Sequence, residues 1–115
     1  MFKSFRFTLF AVLILAATPA WAVTPLLLNK SATVSTASTN ILPVNVSRTY
    51  LLIENVCAEN IGISIDSNTA VIGAAGTVTL LPGGAMEFKD DRVPQNAFNA
   101  ISASGSCGVT IWEIQ

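Results

Sequence analysis

The stretch Thr49-Tyr50-Leu51-Leu52-Ile53-Glu54-Asn55-Val56, with Ile61-Gly62-Ile63-Ser64-Ile65 close behind it, decides the fold class. Leu51, Leu52 and Ile53 are apolar in succession, so residues 49–56 are apolar on both faces over 51–53, as expected of a central strand. Ile61, Ile63 and Ile65 instead alternate with Gly62, Ser64 and Asp66, which predicts a half-buried strand with one wet face. Toward the C-terminus, Asp66-Ser67-Asn68 carries turn chemistry, because short Asx and Ser side chains hydrogen-bond their own backbone. Residues 71–72 and 77–81 are expected as one or two strands separated by Gly73 and Gly76. Leu81-Pro82-Gly83-Gly84 reads as a tight turn and residues 85–89 as a strand. A polar loop over 90–96 precedes 98–103 and 108–114, a hairpin-like pair around Gly105. Toward the N-terminus, residues 23–46 contain Pro25, Pro43 and a Ser/Thr-rich run over 31–40. They are expected as an extended arm with one or two edge strands, since proline is excluded from a central ladder. Short strands at this spacing predict an all-β domain over 47–115, a small antiparallel β-sandwich or jelly-roll-like barrel.

Composition points the same way. After residue 22, Val, Ile and Thr each occur nine times in 93 residues, while Lys, Arg, Glu and Gln total only ten. Stiff β-branched side chains fit a pleated surface, and the straight-chain polar residues that decorate helices are scarce. Residues 1–22 read as a secretory signal. Lys3 and Arg6 make a positive start, residues 7–17 are apolar except for Thr8, Pro19 breaks the helix, and Ala20-Trp21-Ala22 is a small-x-small end. The apolar run is too short for about 30 Å of hydrocarbon. Cleavage after Ala22 is therefore expected, leaving a periplasmic or extracellular protein that begins at Val23 and is not inserted in a membrane; an uncleaved N-terminal anchor is the alternative. That chain has four Lys+Arg against seven Asp+Glu, a net charge of −3, with no basic footprint for nucleic acid. It has no His, which excludes Ser/His/Asp triads, Cys/His dyads and His-ligated metals.

Cys57 ends the central strand and Cys107 opens the last one. An even pair in an exported chain reads as a disulfide. The alternatives are a metal site, which two Cys without His do not complete, and a buried thiol pair. A bridge would make residues 49–56 and 108–114 antiparallel neighbours. Closing a loop of about 50 residues stabilises by roughly 4 kcal/mol in the chain-entropy model, a large share of a net stability of roughly 5 to 10 kcal/mol.

Candidate chemistry is sparse. Glu87, Asp90 and Asp91 crowd together, and Asp66-x-Asn68 is a second oxygen cluster, but neither has the spacing of a known Ca²⁺ loop, so solvated turn charges are the expectation. Paired carboxylates could run glycoside hydrolysis without His, although so short a chain rarely builds a cleft. Gly83-Gly84 lacks the spacing of a phosphate loop. No cofactor or metal is expected. Tyr50, Phe88, Phe98 and Trp112 could form a sugar-stacking platform, with Trp112 the best exposed candidate and core packing the simpler role. Asn29-Lys30-Ser31 and Asn45-Val46-Ser47 match the glycosylation triplet, a pattern that recurs by chance.

The run Arg48-x-x-Leu51-Leu52-Ile53-x-Asn55 resembles a strand motif of small β modules in phage and prophage virion structural proteins. The alternating Ile strand over 61–65, the Leu80-x-Pro82-Gly83-Gly84 turn, the Val93-Pro94-x-x-Ala97 loop and the closing Val109-x-Ile111 are similar to the same modules, in the same order. The resemblance implies a non-enzymatic β-sandwich presented in assemblies, with Arg48 and Asn55 in structural use. The export signal and the Cys pair depart from virion proteins, so a cellular exported protein on a similar scaffold is expected. Two roles follow. One is an interaction module working through strand edges and self-association, with the 23–40 arm adding a strand to its own or a neighbour's sheet; deleting that arm is then expected to leave a folded domain that associates less. The other is a binding module or adhesin that takes glycan or a protein partner through Trp112, Asp90, Asp91, Arg92 and Asn96. A small carboxylate hydrolase is third.

Overall fold

The computed structural model describes residues 24–115; the secretory-signal reading of residues 1–22 lies outside the described residues. These residues form strands β1 (Leu27–Asn29), β2 (Ala32–Val34), β3 (Thr39–Leu42), β4 (Tyr50–Asn55), β5 (Ile61–Ser64), β6 (Thr77–Leu80), β7 (Ala85–Phe88), β8 (Phe98–Ser102) and β9 (Cys107–Ile114). One antiparallel sheet runs β1/β2, β9, β4, β7 and the other β3, β8, β5, β6. β1 and β2 lie end to end along one side of β9 in a single register, Leu27 opposite Ile114 and Val34 opposite Cys107. Between them the Lys30 N–H donates to Ile111 O at 2.8 Å and the Ile111 N–H to Ser31 Oγ at 3.1 Å. Counted as one strand, they complete the strand order of a jelly roll.

The core lies where the alternating inner faces meet. Leu51 and Ile53 of β4 and Val109 and Ile111 of β9 are buried from the first sheet, and Ile61, Ile63, Phe98 and Ala100 from the second. Leu52, on the outer face, is only half-buried, so the central strand is drier on one side than its apolar run implies. Gly62 faces outward, yet Thr77, Ile101 and Ile72 close over it so tightly that a Cβ would sit 2.8 Å from Thr77 Cγ2.

Three features differ from the sequence expectation. The edge strands expected before residue 47 are present, β1/β2 on one sheet and β3 on the other, but the segment is not an arm outside the domain: it belongs to both sheets and buries Val34, Ile41 and Leu42. Deleting it would remove core side chains and bare one side of β9, so deletion does not separate association from folding. Val71 and Ile72 form no strand. The Ala74 N–H donates to Val71 O at 3.1 Å and the Thr77 N–H to Ala74 O at 3.2 Å, with Gly73 and Gly76 at positive φ, so the chain turns twice before β6. Finally, β8 and β9 are not a hairpin. β8 pairs with β3 and β5, and β9 with β4 and β1/β2, so the Gly105 turn crosses between sheets. Ser102 shapes that crossing, its Oγ bonding Ser104 O at 2.8 Å and Gly105 O at 3.0 Å.

Candidate functional site

The polar residues the fold treats most carefully sit at the two ends of β4. Arg48, just before the strand, is buried, and its guanidinium makes four hydrogen bonds: Nε to Glu113 Oε2 at 2.8 Å, Nη1 to Pro94 O at 2.6 Å and Asn96 O at 3.1 Å, and Nη2 to Pro43 O at 3.0 Å. Its charge also lies over the Phe98 ring, 5.5 Å from the centroid. Glu113 accepts from Asn45 Nδ2 at 2.6 Å and Gln115 Nε2 at 3.0 Å as well. Burial alone pushes the Glu113 carboxyl up, but the bonds from Gln115, Arg48 and Asn45 and the Arg48 charge together outweigh it and hold it below the usual glutamate value. Every bond here is internal, and the guanidinium has no open approach for a ligand. Arg48 ties the β3–β4 connection, the 90–97 loop and β9 into one knot.

At the other end of β4, Asn55 is fully buried. Its Nδ2 donates to Glu59 O at 2.7 Å and to Leu80 O at 2.9 Å, and its Oδ1 accepts the Cys57 N–H at 2.9 Å. It thereby joins the first sheet to β6 in the second. The Cys57–Cys107 disulfide lies beside it, with Cα atoms 5.3 Å apart. β4 and β9 are the antiparallel neighbours this bridge implies, with Asn55 opposite Val109. Among the described residues no buried side-chain nitrogen or oxygen lacks a partner.

The surface candidates are dispersed. Phe98 is buried and meets Phe88 edge-on, ring centroids 6.3 Å apart, so two of the four aromatic residues belong to the interior. Tyr50 and Trp112 alternate to the outer face of the first sheet, both half-buried, and Trp112 lies opposite Leu52 and Asn29. Asp90, Asp91 and Arg92 line an open groove with Glu87, Phe88 and Lys89, while Asn96 is exposed farther along the loop and gives its carbonyl to Arg48. Trp112 is not part of that groove. Glu87 accepts the Tyr50 hydroxyl at 3.0 Å, and this bond above all, with burial and the Glu87 charge, raises the Tyr50 phenol. Asp66 is held below the usual aspartate value chiefly by the Ser64 hydroxyl and closes a turn onto Asn68. No group of three or more carboxylate or cysteine side chains among the described residues is placed to hold a metal ion. Of the two glycosylation triplets, Asn29 is exposed, whereas the Asn45 amide is occupied by Glu113.

Sequence reasoning did not single out Glu113. The available signal was its parity on β9: Cys107, Val109, Ile111 and Glu113 share one face, and a carboxylate in that row needs a buried partner.

No known protein family matches the chain, and neither curated proteins nor solved structures show significant similarity to it. The fold defines a small disulfide-stapled β-sandwich of jelly-roll order. That architecture serves capsid subunits, lectins and cupins alike, so the choice among functions falls to the surfaces. The disulfide implies a non-reducing environment, and no helix among the described residues is long and apolar enough to cross a membrane.

Proposed function

We propose that the protein is an exported, non-catalytic interaction module that associates through an open edge of its first sheet. The observation that carries this reading is the β1–β2 edge. The Lys30 N–H bonds Ile111 O and Leu26 O accepts the Gln115 N–H, so even-numbered residues face β9 and the odd-numbered ones aim their N–H and C=O outward. Asn29 Oδ1 covers the Ser31 N–H at 2.9 Å; the outward groups of Leu27, Asn29 and Thr33 form a template for another strand. The same end of the sandwich exposes Leu26 (59%), Leu27 (54%), Val44 (64%) and Val46 (73%), apolar area that a partner would cover. The resemblance to virion modules points in the same direction. Export follows from the leader-like composition of residues 1–22 together with a disulfide that needs an oxidising compartment.

The test is the solution mass of the protein beginning at Val23, measured against concentration with and without reductant. The wild type should associate. Thr33→Pro, which removes an outward N–H and leaves the β9 ladder intact, and Leu27→Lys should both shift it to monomer with unchanged circular dichroism. A wild type that stays monomeric at high concentration and takes up no added strand refutes the reading.

A further inference from the structure

We infer that the outer face of the first sheet carries a shallow groove for a neutral oligosaccharide, with Trp112 as its stacking platform. This site is on the face of the sheet, and Ser31 and Thr33, which wall it on one side, belong to the edge segment through which association is proposed.

The groove follows from parity along β9. Cys107, Val109, Ile111 and Glu113 point into the core, so Gly108, Thr110 and Trp112 point out. A hollow on this face is lined by Ser31 and Thr33 from the edge, Gly108 and Thr110 from β9, and Val56 beyond β4. Its floor is open because Gly108 has no side chain; a Cβ there would meet only Val56 Cγ2, at an ordinary 3.5 Å. Trp112 stands two residues farther along the same face, with Asn29 opposite it on β1. Glu54 lies opposite Thr110 on β4. The hollow is therefore edged by hydroxyls, and beyond its lining on the same face stand an aromatic ring and an amide, Trp112 and Asn29, and a carboxylate, Glu54.

That chemistry selects the ligand. The indole offers an apolar face to the C–H side of a pyranose ring. Asn29 keeps its Nδ2 for a ligand while its Oδ1 holds the Ser31 N–H, and the hydroxyls of Thr33 and Thr110 donate or accept as a sugar requires. Glu54 can accept from two adjacent sugar hydroxyls. Charge decides against anionic ligands: no cation lines the hollow, Lys30 has the opposite parity, bonded through its N–H to Ile111 of the core row, and the charged residue standing opposite Thr110 is the carboxylate Glu54. A second copy of the chain is a poorer occupant, because the hollow is polar rather than a continuous apolar area.

The experiment titrates the protein with cellohexaose, chitohexaose, xylohexaose, maltohexaose and mannohexaose, with oligogalacturonate and a synthetic peptide of residues 27–34 as competing classes. Trp112 is the only tryptophan after residue 22, so the tryptophan fluorescence of the protein beginning at Val23 reports on the surroundings of this one ring. At least one neutral hexasaccharide should give a saturable shift, matched by calorimetry. Trp112→Ala, followed by calorimetry, and Gly108→Val, which fills the floor, should each weaken that binding by about tenfold, the size of a lost aromatic contact. An unchanged unfolding midpoint for either variant would show that the loss is not one of folding. No saturable response to any neutral hexasaccharide, tighter binding of oligogalacturonate, a response to the peptide alone, or full binding by both variants would each overturn the inference.

Discussion

β4 is closed at its two ends by different chemistry. Before the strand, a buried ion pair gathers two connections and a strand: Arg48 reaches the carbonyls of Pro43, Pro94 and Asn96 and the carboxylate of Glu113. After it, a neutral amide and a covalent bond do the same task, with Asn55 bridging to Glu59 and Leu80 beside Cys57–Cys107. The ionic end depends on every partner being present, since a charge stripped of its counter-ion in the interior carries its full desolvation cost. The covalent end acts largely by restricting the unfolded chain, so it tolerates local rearrangement better. One end is therefore brittle and pH-dependent, and the other is robust until it is reduced.

The sharpest way to break this contrast is Arg48→Met. It leaves Glu113 buried without its cation and three carbonyls without donors, and is expected to cost about 3–5 kcal/mol in denaturant unfolding. Adding Glu113→Leu should restore part of that loss; if the double variant is no more stable than the single one, the pair is not the source of the cost. Cys57→Ser with Cys107→Ser should cost about 2–4 kcal/mol, and in the wild type the same loss should appear on adding reductant. If both thiols of the folded, unreduced protein are alkylated, the covalent half of the comparison falls. Asn55→Ala strands the carbonyls of Glu59 and Leu80 and is expected to cost about 1–3 kcal/mol.

The smallest effect is the pH dependence of the ionic end. Because Glu113 is held below its ordinary value of 4.5, its contribution is complete above that value and is lost as pH falls through the lower folded value. Asp66 shifts in the same direction, so the informative quantity is the difference between wild type and Glu113→Gln. Wild type should lose stability on acidification more steeply below 4.5 than the variant does. Parallel curves would remove Glu113 from the account.

Much of the strand inventory was legible because side-chain alternation is local. Residues 49–56 and 85–89 follow it, and Gly83 takes the positive φ that the Leu81–Gly84 turn asks of it, whereas β5 forms where the Ile alternation places it but lacks the expected wet face, Gly62 and Ser64 being buried as well. The 71–72 segment misled because two β-branched residues just before Gly73 read equally well as strand or turn, and Ile72, half-buried, packs over Gly62. The surface candidates fared unevenly for the same reason. Parity separates Trp112 from Glu113, but it does not say which face of an edge segment points inward until that segment has a partner.

Composition and alternation by themselves determined that the described residues are all-β, that their turns fall where Gly, Pro and Asx residues cluster, and that Cys57 and Cys107 lie at strand ends suited to a bridge. Tertiary structure alone decided that β8 and β9 belong to opposite sheets, that the segment before residue 47 contributes to both of them, and that Arg48 meets Glu113 across 65 positions of sequence. The physical reason is range. A strand's alternation is set by covalent geometry over a few residues, whereas its partner is set by which distant faces bury one another, a choice that exists only once the whole sandwich has closed.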